Sequence, residues 1–192
     1  MKKLIAVAIL ASLAGQLYAQ DPSKSTKPRT QPQPNATVTV FECIPFKGNY
    51  ATIARRGDRV TPPMIEWTAT LGGEWTPQRR CQEVSQRLTR AVAAAGGKLR
   101  NLQLTYGSVK GQRVICYIDA STAVNACNEK NLLFTLRRED IGKEREILQT
   151  IVQFSIKGTG SHVQQSAEQD YALLGEAVED ILSSGGDKAQ GI

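Results

Sequence analysis

An apolar run at residues 4–14 sits directly behind Lys2 and Lys3 and leads into Leu17-Tyr18-Ala19 before Gln20. A basic start, a short hydrophobic stretch and a small residue at the cut are the parts of an export signal. The run is too short for a permanent membrane span. Residues 1–19 are therefore expected to be removed, leaving a mature chain that works outside the cytosol. Residues 12–16 resemble a lipoprotein box with Gln16 where the lipid-bearing cysteine would stand. Without that thiol, any membrane association is expected to be peripheral. Residues 20–36 are rich in Pro, Thr, Gln, Lys and Ser and nearly devoid of apolar side chains, which predicts a flexible linker.

Beyond the linker the pattern changes to short alternating stretches. Residues 37–41, 50–54 and 64–69 read as strands, with Pro45, Gly48 and the Thr61-Pro62-Pro63 break as punctuation. Their turn-length connections favour antiparallel pairing. Thr76 then offers a helix cap and Pro77 suits the first helical position. Cys81, Val84, Leu88, Val92 and Ala95 recur at helical spacing until Gly96-Gly97 stops the run, which turns Cys81 toward the core. Arg79, Arg80, Gln86, Arg87 and Arg90 are assigned mostly to the outer face.

Three further strands are expected over residues 99–109, 112–118 and 131–136, with a hairpin turn at residues 109–112. Ile147, Leu148, Ile151 and Val152 predict a second, shorter helix starting near Lys143. Gly158 and Gly160 close the domain at about residue 157. A separate acidic tail follows, in which Ser166 and Gln169 form a capping box. Tyr171, Leu174, Val178, Ile181 and Leu182 line one side of its helix. The fold class is α+β: antiparallel sheets built from two strand-triplet-plus-helix units, braced by disulfides, with a separate C-terminal amphipathic helix.

Charge is unevenly spread over the chain's net +6. Residues 36–157 carry a net +7, residues 158–192 a net −5 and residues 1–35 a net +4. Export and the lack of a dense basic cluster interleaved with aromatics argue against nucleic acid. Anionic headgroups or acidic polymers are the expected opposing charges for Arg79, Arg80, Arg87 and Arg90, although helices also carry such charges for solubility alone. The acidic helix is expected either to dock back on the domain, shielding it, or to recruit a second protein.

Cys43, Cys81, Cys116 and Cys127 give an even count in a chain bound for an oxidising compartment. None has the close spacing of a zinc knuckle, and His162 is the sole imidazole, so neither a metal site nor any cofactor is expected. Of the three possible pairings, Cys43–Cys81 and Cys116–Cys127 are favoured. The first would tie a strand to a helix, and the second closes a short excursion. Each is worth roughly 3–4 kcal/mol on chain-entropy grounds.

Several stretches resemble the cyanobacterial circadian oscillating protein family. They are Phe41-Glu42-Cys43, Ala51-Thr52, Met64-Ile65-Glu66-Trp67, residues 76–88, Val114-Ile115-Cys116 and residues 131–136. The similarity spans roughly residues 37–154, and its helix-start segment is the specific part. The resemblance implies an exported or membrane-associated protein with no catalytic residue to carry over. It also implies that the four cysteines occupy the family's cysteine positions, and it leaves the acidic tail outside.

Candidates for chemistry are few. His162 lies in a Gly/Ser/Gln linker, and nucleophile-elbow and phosphate-loop signatures are lacking. Glu66 is expected to face water while Trp67 faces the core. Trp67 and Trp75 bracket a Leu71-Gly72-Gly73 loop that either forms a ligand platform or splits into one core residue and one cover for the helix start. The expected function is non-catalytic: a binding or structural module at the cell envelope, contacting membrane, an anionic partner or an envelope protein. The alternatives are a glycan-active hydrolase using two carboxylates, or an inhibitor of secreted enzymes presenting residues 120–128.

Overall fold

The computed structural model describes residues 38–155, 163–165 and 170–184. The expected signal and linker, the capping box at Ser166 and Gln169, and His162 lie outside the described residues.

Two antiparallel sheets enclose one hydrophobic core. The first holds β1 (Val40–Phe46), β2 (Asn49–Arg56), β3 (Arg59–Val60) and β4 (Ile65–Trp67). β1 meets β2 through Lys47-Gly48, both with positive φ, which matches the turn to the right-handed strand twist. β3 and β4 share the other side of β2. Helix α1 (Pro77–Ala94) follows. Then come β5 (Leu102–Val109), β6 (Gln112–Asp119), β7 (Leu132–Thr135), α2 (Glu144–Val152), β8 (Val163–Gln165), β9 (Asp170–Ala172) and α3 (Leu174–Ser183). The second sheet runs β7-β6-β5-β9-β8. The α+β class with antiparallel sheets is as the pattern predicted, but the first unit has a fourth strand, the two-residue β3, and the second sheet gains β8 and β9.

Helix α1 is framed by its ends. The Thr76 hydroxyl accepts from the Arg79 amide, and Gly97 and Gly96 donate back to Val92 and Ala93. Its inner stripe of Cys81, Val84, Leu88 and Val92 is buried against both sheets. Cys43–Cys81 ties α1 to β1 with Cα atoms 5.4 Å apart, and Cys116–Cys127 pins the excursion after β6 at 5.6 Å. These are the favoured pairs. Two disulfides fit an oxidising compartment. No described helix is long and apolar enough to cross a membrane.

Local boundaries depart from the pattern in several places. β1 runs through Pro45, because an edge strand does not need every outward amide for its ladder. Residues 99–101 form a 3-10 turn, not a strand. Tyr171 belongs to β9, and α3 starts only at Leu174.

The larger correction concerns the C-terminal segment, which is not a separate tail. β9 adds to β5, and Leu174, Ala177, Val178 and Leu182 are buried in the common core. Two of its acids, Asp170 and Glu179, are paired with arginines of the domain. Asp170 is buried and accepts from the Arg145 guanidinium at 2.9 Å and from the Tyr106 hydroxyl at 3.2 Å. Arg56 grips Glu179 through two bonds of 2.8 and 2.6 Å. Gly175 lies so close to the chain that an added Cβ would sit 1.8 Å from the Leu99 carbonyl oxygen. Composition reads as a tail here because pairing with distant basic residues is invisible in a local window. Docking back on the domain is therefore what α3 does.

Candidate functional site

The expected anion-binding arginines do not form a solvent-facing stripe. Arg80, Glu83 and Arg87 recur at helical spacing on the flank of α1 that faces β7, while Arg79 and Arg90 stay exposed. The four guanidinium groups then meet different fates.

Arg87 donates to Glu83 at 2.9 Å and to the carbonyls of Leu132 and Leu133 at 3.1 and 2.9 Å, fastening α1 to β7. Arg79 pairs with Glu74 at 3.3 Å and stacks 4.7 Å over the Trp75 ring. Arg90 reaches Glu83 at 3.9 Å. Arg80 differs from all of these. Half-buried, it has no carboxylate within ion-pair distance among the described residues. One N–H donates to the Ala69 carbonyl at 3.0 Å, and the guanidinium lies 4.9 Å over the Trp67 ring. Burial pushes its pKa below the usual arginine value and nearby Arg137 adds to this, with Asp140 opposing. Burial and Arg137 thus outweigh the attraction of Asp140.

Two grooves meet at Arg80. The smaller, about 250 Å³, is lined by Trp75, Arg80, Glu83, Arg87, Gln112 and Phe134. The larger, about 490 Å³, runs along β4 and includes Glu66, Trp67, Arg80, Phe134, Arg137 and Asp140. Its other charges are largely spent: Arg137 clasps Asp140 at 2.8 Å and Glu139 at 3.0 Å. Glu83 leaves a net positive smaller groove, since Arg80 and Arg87 both face it.

The two tryptophans do not form a shared platform. Trp67 is 3% exposed; its indole N–H donates to Thr52 at 3.0 Å, and its ring meets Phe134 edge-on at 5.5 Å. Trp75 is 37% exposed beside the start of α1, held by backbone pairing with Leu71. Trp67 is core and Trp75 is rim, because alternation in β4 turns Trp67 inward and Glu66 outward. Phe134, Gln112 and Arg137 were not anticipated. β6, β7 and the turn after them bring these residues to α1, and only Phe134 carries a local hint, as an apolar position in a strand.

The geometry of the helix start, its disulfide and its arginine flank can be compared with known proteins. The family model described as circadian oscillating protein COP23 matches residues 40–179. This chain belongs to the COP23 family. The match extends past the residues 37–154 that carried the resemblance and ends inside α3, which makes β9 and most of α3 part of the COP23 domain. A search of curated proteins found no match, and neither did a search of solved structures.

Acid chemistry has little to work with. Glu144 and Asp170 are the buried acids among the described residues, and neither lines these grooves. Burial works to raise the Glu144 carboxyl, but backbone amides and Arg113 outweigh it and hold the group below its usual range. Among the described residues no cluster of three or more His, Cys, Asp or Glu is placed to hold a metal.

Proposed function

We propose that this COP23-family protein is an exported, non-catalytic module of the cell envelope. In this reading it associates peripherally with anionic headgroups through the groove at the start of α1. The observation that carries the reading is Arg80: a half-buried cation with one hydrogen-bond acceptor and no carboxylate within ion-pair distance among the described residues. A headgroup phosphate entering the groove gains a charge-assisted bond to a guanidinium already oriented by Trp67, so little ordering is lost on binding. Trp75 and Arg79 at the rim add an amphipathic aromatic and a stacked cation, a pairing suited to a headgroup layer. Export accounts for the two disulfides and for the basic-then-apolar start of the chain. The hydrolase alternative gains no support from the buried carboxylates, since each is held by an arginine.

Two experiments test this. Fractionation should find the protein in an envelope fraction released by salt; a cytosolic protein contradicts the reading. Purified full chain should sediment with phosphatidylglycerol vesicles at low salt and not with phosphatidylcholine vesicles, and Arg80→Met should lose that binding. Equal sedimentation of the variant would overturn the assignment.

A further inference from the structure

At the opposite end of α1 lies a second groove of about 320 Å³ that the arginine site does not use. Its walls are apolar: Ala91, Val92 and Ala94 from the helix, Ala95 at its end, Leu102 and Ile118 from the second sheet, and Val124 from the excursion after β6. Small side chains along this stretch of α1 leave the space open. The excursion that forms the far wall is built to hold its shape. Cys127 is bonded to Cys116, and the Asn131 amide bridges the Asn128 N–H and the Ala126 carbonyl at 2.7 and 3.0 Å. The Tyr117 hydroxyl donates to the Lys130 carbonyl at 2.9 Å. Val124 is nonetheless 49% exposed, an apolar residue displayed on a braced wall.

The charged groups of this groove are Lys98, Lys130 and Asp119. Asp119 is turned to its own turn, where one carboxylate oxygen accepts from the Ser121 amide and hydroxyl at 2.9 and 2.6 Å. Lys98 and Lys130 are exposed, and neither ammonium has an ion-pair partner among the described residues. The result is an apolar slot in which two lysines stand against one aspartate, a net positive charge of one.

We infer that this groove is a binding site for a single-chain anionic amphiphile, a fatty-acid-type carboxylate. Its hydrocarbon lies along Ala94, Ala95 and Val124 above Val92 and Ile118, and its head meets Lys98 and Lys130. The volume supports one chain only, since it falls at the lower end of the roughly 300–1,000 Å³ typical of small-molecule sites. Buried methylenes supply the affinity, and the lysines, as flexible point charges, select the sign of the head.

The test is calorimetric titration of the full chain with decanoate, decanol and decyltrimethylammonium below their aggregation limits. Decanoate should bind once per chain, decanol at least about fivefold more weakly, and the cation not measurably. Val124→Glu places a charge on the exposed wall and should weaken decanoate at least tenfold with the thermal midpoint unchanged. Lys98→Gln with Lys130→Gln should make decanoate and decanol equal. Arg80→Met should leave decanoate binding intact, which separates this site from the vesicle site. Equal binding of all three probes, insensitivity to Val124→Glu, or a terminal segment of the chain itself occupying the groove would overturn the inference.

Discussion

Arg56 at the seat of α3 and Arg80 at the start of α1 are the same residue type in opposite states. Arg56 spends its Nε on Thr39 and both terminal nitrogens on Glu179, and the Glu179 bonds raise its pKa. Arg80 spends one nitrogen on a carbonyl, and burial lowers its pKa. The first guanidinium is part of the architecture, because a carboxylate 123 residues away completes it. The second has no ion-pair partner among the described residues, which is the condition a ligand-binding cation must meet. Position on a helix says little about which case applies; the distant partner decides.

The comparison can be broken at either end, and the largest effects belong to the architecture. Replacing Cys43 and Cys81 together by alanine removes the tie between β1 and α1 and should cost about 4 kcal/mol in denaturant unfolding. A loss near zero would mean that packing alone seats α1. Gly175→Ala drives a methyl group into the Leu99 carbonyl and should cost about 3 kcal/mol, lowering the thermal midpoint by ~10 °C. An unaffected midpoint would show that α3 is a loosely held appendage.

Glu179→Gln should cost about 1–2 kcal/mol at neutral pH, between the values for exposed and buried pairs. Its pH dependence follows from the direction of the shift. The bond to Arg56 holds the Glu179 pKa below its usual 4.5, so the folded state favours the charged form. The pair's contribution is therefore fully present above that value and is lost as pH falls through the lower folded pKa. The wild type and Glu179→Gln should accordingly converge in acid; a gap that widens there would refute the ion-pair account. Arg80→Met should change stability least, by under ~1 kcal/mol, because the lost cation–π contact is offset by relief of burial.

Sequence patterning reached the parts of the molecule governed by local rules. Thr76, Pro77 and Gly96 delimit α1 because caps act within a few residues, and Lys110-Gly111 marks the β5–β6 turn by its positive φ angles. The fate of residues 170–184 was not legible. Their acidity reads as a solvated tail until Arg56 and Arg145 are placed beside them. Gly175 hints at a close approach but names no neighbour. The candidate site was half legible: its arginines and tryptophans were singled out, but the sorting of Arg80 from Arg87 depends on β7, which lies some 45 residues further on.

Arginine side-chain NMR offers the most direct comparison of the two guanidiniums. The Nε–Hε resonances of Arg80 and Arg56 are followed while inorganic phosphate is titrated into the full chain at low ionic strength. The account predicts a saturating shift at Arg80 and none at Arg56. A silent Arg80, or equal small drifts at both, would contradict it.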